Sequence, residues 1–141
     1  MITLTHIAMH VPDVEAMIDF YGRYCGMHVM HERSSDEKRI VWLAEPGRER
    51  EFIFVLMSGG QPEQPPENDY SHLGFAVESR EVVDRLAGQA REEGCLLWEP
   101  TEHPWPVGYF CGVIDPNGAY VEFSYGQPLG PGADEYAQAA L

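Results

Sequence analysis

The sequence predicts an α+β fold in which one motif, strand-helix-strand-strand-strand, is used twice within a single domain. Three observations carry that expectation. Apolar spacing passes from a period of two to a helical period and back again in each half of the chain. Two matched segments open the halves, Thr5-His6-Ile7-Ala8-Met9-His10-Val11 and Ser71-His72-Leu73-Gly74-Phe75-Ala76-Val77. The chain has 141 residues, enough for one domain and short for two ordinary ones.

Each element has its own signal. Residues 3–11 alternate and read as a strand ending at Pro12. Asp13 is a good N-cap, Val14, Met17, Ile18 and Tyr21 fall at helical spacing, and Gly26 stops the helix. Strands follow at 27–33, 39–44 and 51–57, separated by the turns Ser34-Ser35-Asp36-Glu37 and Glu45-Pro46-Gly47. The first module thus covers 1–57. Residues 58–70 hold Gly59, Gly60, Pro62, Pro65 and Pro66 and form a linker. The second module, 71–126, repeats the order. It has a strand at 71–77, a helix capped by Ser79 and stopped at Gly94, a strand at 95–98, a loop at 100–106, and strands at 108–114 and 119–125. A tail occupies 127–141.

Composition narrows the function classes. Nine basic against twenty-three acidic side chains give a net charge of −14. Such a chain offers no basic patch for nucleic acid and no attraction to anionic membranes. It also disfavours strongly anionic substrates unless a metal supplies positive charge. Cys25, Cys95 and Cys111 form no CxxC pair, and their odd number fits a reducing compartment. No signal peptide or membrane-length apolar run is present, so a cytoplasmic protein is expected.

The repeat draws attention to three side chains. His6 and His72 occupy equivalent places on the first strands of the two modules. Period two puts Ala8 and His10 on the face of His6, and Gly74 and Ala76 on that of His72; small neighbours leave room beside both imidazoles. The third is Glu122. Asp115-Pro116-Asn117-Gly118 is strong turn chemistry, and the strand after it sets this one carboxylate among apolar residues. Two His and one carboxylate are a donor set that binds a divalent metal on one face and leaves other positions open.

Thr-His-Ile-Ala-Met-His-Val-Pro-Asp, Ser-His-Leu-Gly-Phe-Ala-Val and Asp-Pro-Asn-Gly-Ala-Tyr-Val-Glu-Phe resemble the vicinal oxygen chelate superfamily over roughly residues 3–125. That superfamily includes glyoxalase I, methylmalonyl-CoA epimerase, fosfomycin resistance proteins, extradiol dioxygenases and bleomycin-binding proteins. The resemblance implies two βαβββ modules forming a cup-shaped mixed sheet around a divalent metal. It implies His6, His72 and Glu122 as ligands, Fe2+ as the favoured ion with Mn2+, Zn2+ or Ni2+ as alternatives, and closure of the cup in a homodimer. The fourth family ligand position falls on Glu51 when aligned from Gly47, and nearer Phe54 when counted back from His72.

The function expected is metal-dependent chemistry on a small molecule with two adjacent oxygens, as in extradiol ring cleavage. Glyoxalase-I-like isomerisation is one alternative, and a bleomycin-type drug-binding protein without catalysis is another. The Tyr that dioxygenases carry four residues before the turn proline is Gly112 here, with Tyr109 three residues away as a candidate substitute. His103 lies where ring-cleaving enzymes place an acid–base histidine, and its loop with Pro104, Trp105 and Pro106 suggests an aromatic lid. His10, on the ligand-side face, is a further acid–base candidate.

Overall fold

The computed structural model describes residues 1–130 and residue 133. Most of the tail expected over 127–141 lies outside the described residues. The chain divides into two units, Met1–Gln64 with Pro116–Gly118, and Pro65–Asp115 with Ala119 onward. Each holds one βαβββ module with its own four-stranded sheet.

The first module runs β1 (His6–Val11), α1 (Val14–Cys25), β2 (His28–Ser34), β3 (Arg39–Ala44) and β4 (Ile53–Ser58). The sheet order is β1-β4-β3-β2, with β1 parallel to β4 and the other pairs antiparallel. The Asp13 carboxylate accepts the Ala16 amide at 3.0 Å, satisfying one of the orphan donors at the helix start. Gly26, at φ 67°, ends the helix in the left-handed region that an L side chain resists. The apolar stripe of α1 buries Met17 and Tyr21, and β3 and β4 bury Val41, Leu43 and Leu56. Tyr21 meets Phe54 edge to face, with ring centroids 5.3 Å apart.

Two differences from the sequence expectation have local causes. Strand β4 begins at Ile53 rather than residue 51. The amide of Glu51 instead donates to the Arg48 carbonyl, and the Arg48 guanidinium holds both Glu45 and Glu51 at 2.8 Å, so this stretch closes as a turn. A bulge between Val29 and His31 interrupts the pairing of β2 with β3, and His28 and His31 are both exposed.

The second module runs β5 (Leu73–Ala76), α2 (Arg80–Glu93), β6 (Leu96–His103), β7 (Gly108–Ile114) and β8 (Tyr120–Tyr125), in sheet order β5-β8-β7-β6. Ser79 caps α2 by accepting the Val82 amide, and Gly94 at φ 76° closes it. Strand β5 is shorter than expected: Asp69 accepts the Ser71 amide at 2.9 Å and turns the chain just ahead of it. Strand β6 is longer, reaching His103 where a loop was expected from residue 100. It lies at the sheet edge and carries a register shift between Trp98 and Thr101. That irregularity accommodates Pro100, which has no amide for a ladder bond. Residues 104–107 therefore form a tight hairpin turn, closed by the Val107 amide on the Pro104 carbonyl at 3.1 Å, and not a long lid. Trp105 on that turn is about half exposed. Asp115 is buried, and its backbone and carboxylate both engage Ala119 at 2.9 Å, which fixes the entry to β8.

Two outcomes test this packing. Leu43→Ala, at a fully buried position, should lower the unfolding free energy by about 3 kcal/mol in urea titrations. Burial pushes the Cys111 thiol up from 9.0 to about 12. The stability gained by keeping that thiol neutral is complete below the ordinary thiol range and is lost as pH climbs toward the raised value. At pH 8, iodoacetamide should therefore modify Cys111 only after unfolding, as peptide mass analysis would show.

Candidate metal centre and its pocket

Strand β8 sorts its residues by face. Val121 and Phe123 are buried against the α2 side, and Glu122 and Ser124 take the opposite face. Glu122 pairs with Gly74 on one neighbouring strand and Gly112 on the other, so no β-carbon crowds it from either side. Its carboxylate is only 7% exposed. Oε1 accepts a hydrogen bond from the Gln127 amide at 3.1 Å, and Oε2 lies 2.8 Å from His72 Nε2.

The other ring nitrogen of His72 decides what that contact means. Nδ1 is 2.6 Å from the Tyr70 carbonyl oxygen, which only accepts, so Nδ1 carries a proton and donates it there. In a neutral ring Nε2 then presents a lone pair to the carboxylate. Two acceptors at 2.8 Å need a positive charge between or upon them, supplied by a proton or by a metal ion. An imidazole that gives Nδ1–H to a backbone carbonyl and aims Nε2 beside a carboxylate is also the usual posture of a metal-ligating histidine. The donor chemistry of this pair thus fits a divalent ion. Among the described residues no three His, Cys, Asp or Glu side chains converge as a ready-made cage.

His72 and Glu122 open onto a cavity of about 460 Å³ lined also by Tyr70, Trp98, Thr101, His103 and Phe110. Its wall is aromatic. The Trp98 indole stands edge to face with His72 at 5.8 Å and with Phe110 at 6.4 Å, and Phe110 lies 5.3 Å from the His103 ring. Of the residues singled out from sequence, three share this cavity: His72, Glu122 and His103. Gln127, Trp98 and Tyr70 were missed. Gln127 fell in the expected tail. Trp98 and Tyr70 carried no signal beyond being aromatic, because their role depends on which face of the sheet they cover.

Tyr109 is not brought into that cavity. Its hydroxyl donates to Asp84 of α2, and the Arg80 guanidinium lies 4.5 Å from the ring centroid. Its neighbour Phe110 takes the cavity face, so alternation along β7 directs Tyr109 to the helix side. The hydrogen bond to Asp84 also raises its pKa above the ordinary phenol value. The missing Tyr at position 112 has a steric reason: a Cβ there would lie 2.3 Å from Trp98 Cε3. The indole occupies the space a side chain would need. Gly112→Ala should displace Trp98, shift its fluorescence emission and destabilise the fold by about 1–3 kcal/mol, read by emission spectra and urea titration.

The first module places its residues separately. His6 lines a second cavity, of about 420 Å³, together with Ala8, Trp42, Val55 and others. Thr5 Oγ1 is 3.1 Å from His6 Nδ1. His10 donates Nδ1–H to the Ser58 carbonyl at 3.0 Å. The strand registers settle which residue matches Glu122. Gly74 pairs with Glu122 across β5 and β8, and its repeat-equivalent Ala8 pairs with Val55 across β1 and β4. Neither Glu51 nor Phe54 is the counterpart; the position is held by an apolar side chain. Glu51 is exposed and ion-paired with Arg48.

Comparison with known proteins accords with this arrangement. A protein of Pseudomonas aeruginosa that carries no functional description is 59% identical over 132 residues, 94% of each chain. The structure of a possible glyoxalase from Bacillus cereus shares 28% identity, covering 88% of this chain and 99% of that one with a TM-score of 0.67. The fold also matches the Leishmania major trypanothione-dependent glyoxalase I, at 23% identity, 89% and 87% coverage and TM-score 0.68. It likewise matches the Listeria monocytogenes fosfomycin resistance protein FosX, complexed with Mn(II) and sulfate, at 18% identity, 90% and 95% coverage and TM-score 0.69. The family profile matches residues 3–123, and the chain belongs to the Glyoxalase/Bleomycin resistance protein/Dioxygenase superfamily.

Proposed function

We propose that this chain is a metal-dependent enzyme acting on a small, largely planar molecule with two adjacent oxygens. One observation carries the reading: His72 Nε2 faces Glu122 Oε2 at 2.8 Å while Nδ1–H is committed to the Tyr70 carbonyl. His72 and Glu122 would hold a divalent ion, with His6, the repeat-equivalent histidine, as the third ligand. Fe2+ is the favoured ion, with Mn2+, Zn2+ and Ni2+ as alternatives. The ion would serve as a Lewis acid, stabilising negative charge that develops on a substrate oxygen.

The protein's own groups have distinct tasks. Gln127 fixes one carboxylate oxygen of Glu122 and leaves the other for the ion. The Tyr70 carbonyl holds the His72 ring in one tautomer. Trp98 and Phe110 exclude water from one side of the cavity and offer flat faces to a planar substrate. His103, on the same cavity, is placed to take or return a proton. The apolar Val55 at the position matching Glu122 leaves the first module without a carboxylate there, which favours an open three-ligand set and ring-cleaving oxygen chemistry.

Glyoxalase-like isomerisation is the second reading, favoured by the similarity to the Bacillus cereus structure. In it Glu122 would carry the proton between adjacent substrate carbons. The proposal includes a homodimer, as sedimentation equilibrium would show. A drug-binding protein without catalysis is the contrary case.

Anaerobically purified protein should contain one divalent ion per chain, and His72→Ala and Glu122→Gln should each weaken its retention at least about tenfold against a chelator titration. Catechol-dependent oxygen uptake would select ring cleavage, and hemithioacetal turnover the isomerase. His103→Gln should lower kcat about a hundredfold without changing metal content. Absence of stoichiometric metal in wild type, with bleomycin bound equally by wild type and His72→Ala, would overturn both enzyme readings.

A further inference from the structure

The first module's cavity has a feature that the metal reading does not use. The protein carries nine basic side chains among twenty-three acidic ones, so a cation without a carboxylate partner is uncommon. Arg23, Arg39, Arg48, Arg80 and Arg91 each form an ion pair. Among the described residues Arg33 and Arg50 have no carboxylate within ion-pair distance, and both line the 420 Å³ cavity. Their approach is from separate elements, Arg33 from β2 and Arg50 from the turn before β4. Between them the sheet offers an apolar floor that includes Ile40, Trp42 and Val55.

Two carboxylates also border this cavity, and both are already occupied. Glu51 Oε2 pairs with Arg48 Nε at 2.8 Å. Glu49 Oε1 accepts the Gly47 amide at 3.0 Å and lies 3.5 Å from His28 Nε2. Neither neutralises the two guanidiniums. Local net charge near the cavity is small, so selectivity would come from unfilled donors: each guanidinium presents a planar fork of N–H groups that matches a carboxylate. An apolar floor below two unfilled forks is the arrangement that recognises a molecule with one apolar body and one anionic end.

We propose that this cavity binds a small amphipathic carboxylate, its apolar body on Ile40, Trp42 and Val55 and its carboxylate on Arg33 and Arg50. The site makes a local exception to the expectation, drawn from net charge, that anionic ligands are disfavoured. It rests on residues of the first module alone and requires no metal.

The test is calorimetric titration of the full-length protein, as purified and after chelation, with 3-phenylpropionate and with its uncharged analogue 3-phenylpropionamide. The carboxylate should bind about tenfold or more tightly than the amide in both preparations. In the double variant Arg33→Gln/Arg50→Gln the preference should fall to about twofold or less, with amide binding retained and circular dichroism unchanged. Equal binding of acid and amide, an undiminished preference in the double variant, or no binding of either compound up to about 10 mM would overturn the proposal. Retained binding after chelation separates this result from the metal reading, because loss of metal with carboxylate binding intact leaves only that reading in question.

Discussion

A buried carboxylate and an imidazole lone pair, face to face at 2.8 Å, form the contact on which the second module's functional surface depends. Neither group is stable there without positive charge, and no Lys or Arg among the described residues pairs with Glu122. The surrounding structure maintains the conflict. The Tyr70 carbonyl fixes the imidazole proton on Nδ1, Gln127 anchors one carboxylate oxygen, and Gly74 and Gly112 keep neighbouring strands from supplying a side chain that could shield the pair. A fold selected for stability alone would replace such a pair with apolar residues. Its presence is therefore most simply explained by a bound cation.

The two modules are built on one plan and have diverged at this contact. Both start with a strand bearing a histidine, cap a helix with Asp or Ser, end it with glycine at positive φ, and return through three strands. Opposite Ala8, however, the first module sets Val55, whereas opposite Gly74 the second sets Glu122. One sheet thus presents an apolar floor with unfilled guanidiniums at its border, and the other an aromatic wall around a carboxylate and two imidazoles. Duplicated topology with unlike surfaces gives one chain two kinds of recognition, polar coordination on one module and apolar contact with anion recognition on the other.

Much of the fold was legible because its signals are local. Asp13, Ser79, Gly26 and Gly94 mark both helices to the residue, and strands 39–44 and 108–114 have the bounds their alternation implies. The failures are equally physical. Arg48 drew Glu51 into a turn through two ion pairs, which shortened β4 and removed the supposed counterpart of Glu122. Pro100 appeared to break β6, but an edge strand tolerates proline by bulging. At the site, His72 and Glu122 were visible through the repeat and through the oddity of a carboxylate in an apolar strand. Trp98 and Gln127 were not, since their contacts depend on register shifts and on chain beyond the last strand. Tyr109 was named for its nearness in sequence to position 112, and three residues along a strand reverse the face.

The account stands most directly on where an ion sits. Anomalous diffraction from crystals grown with Mn2+ or Fe2+ should show a peak within about 2.0–2.2 Å of His72 Nε2 and a Glu122 carboxylate oxygen, with the Tyr70 and Gln127 hydrogen bonds kept. A structure in which His72 and Glu122 stay in direct contact, with no peak between them at saturating metal, would contradict it.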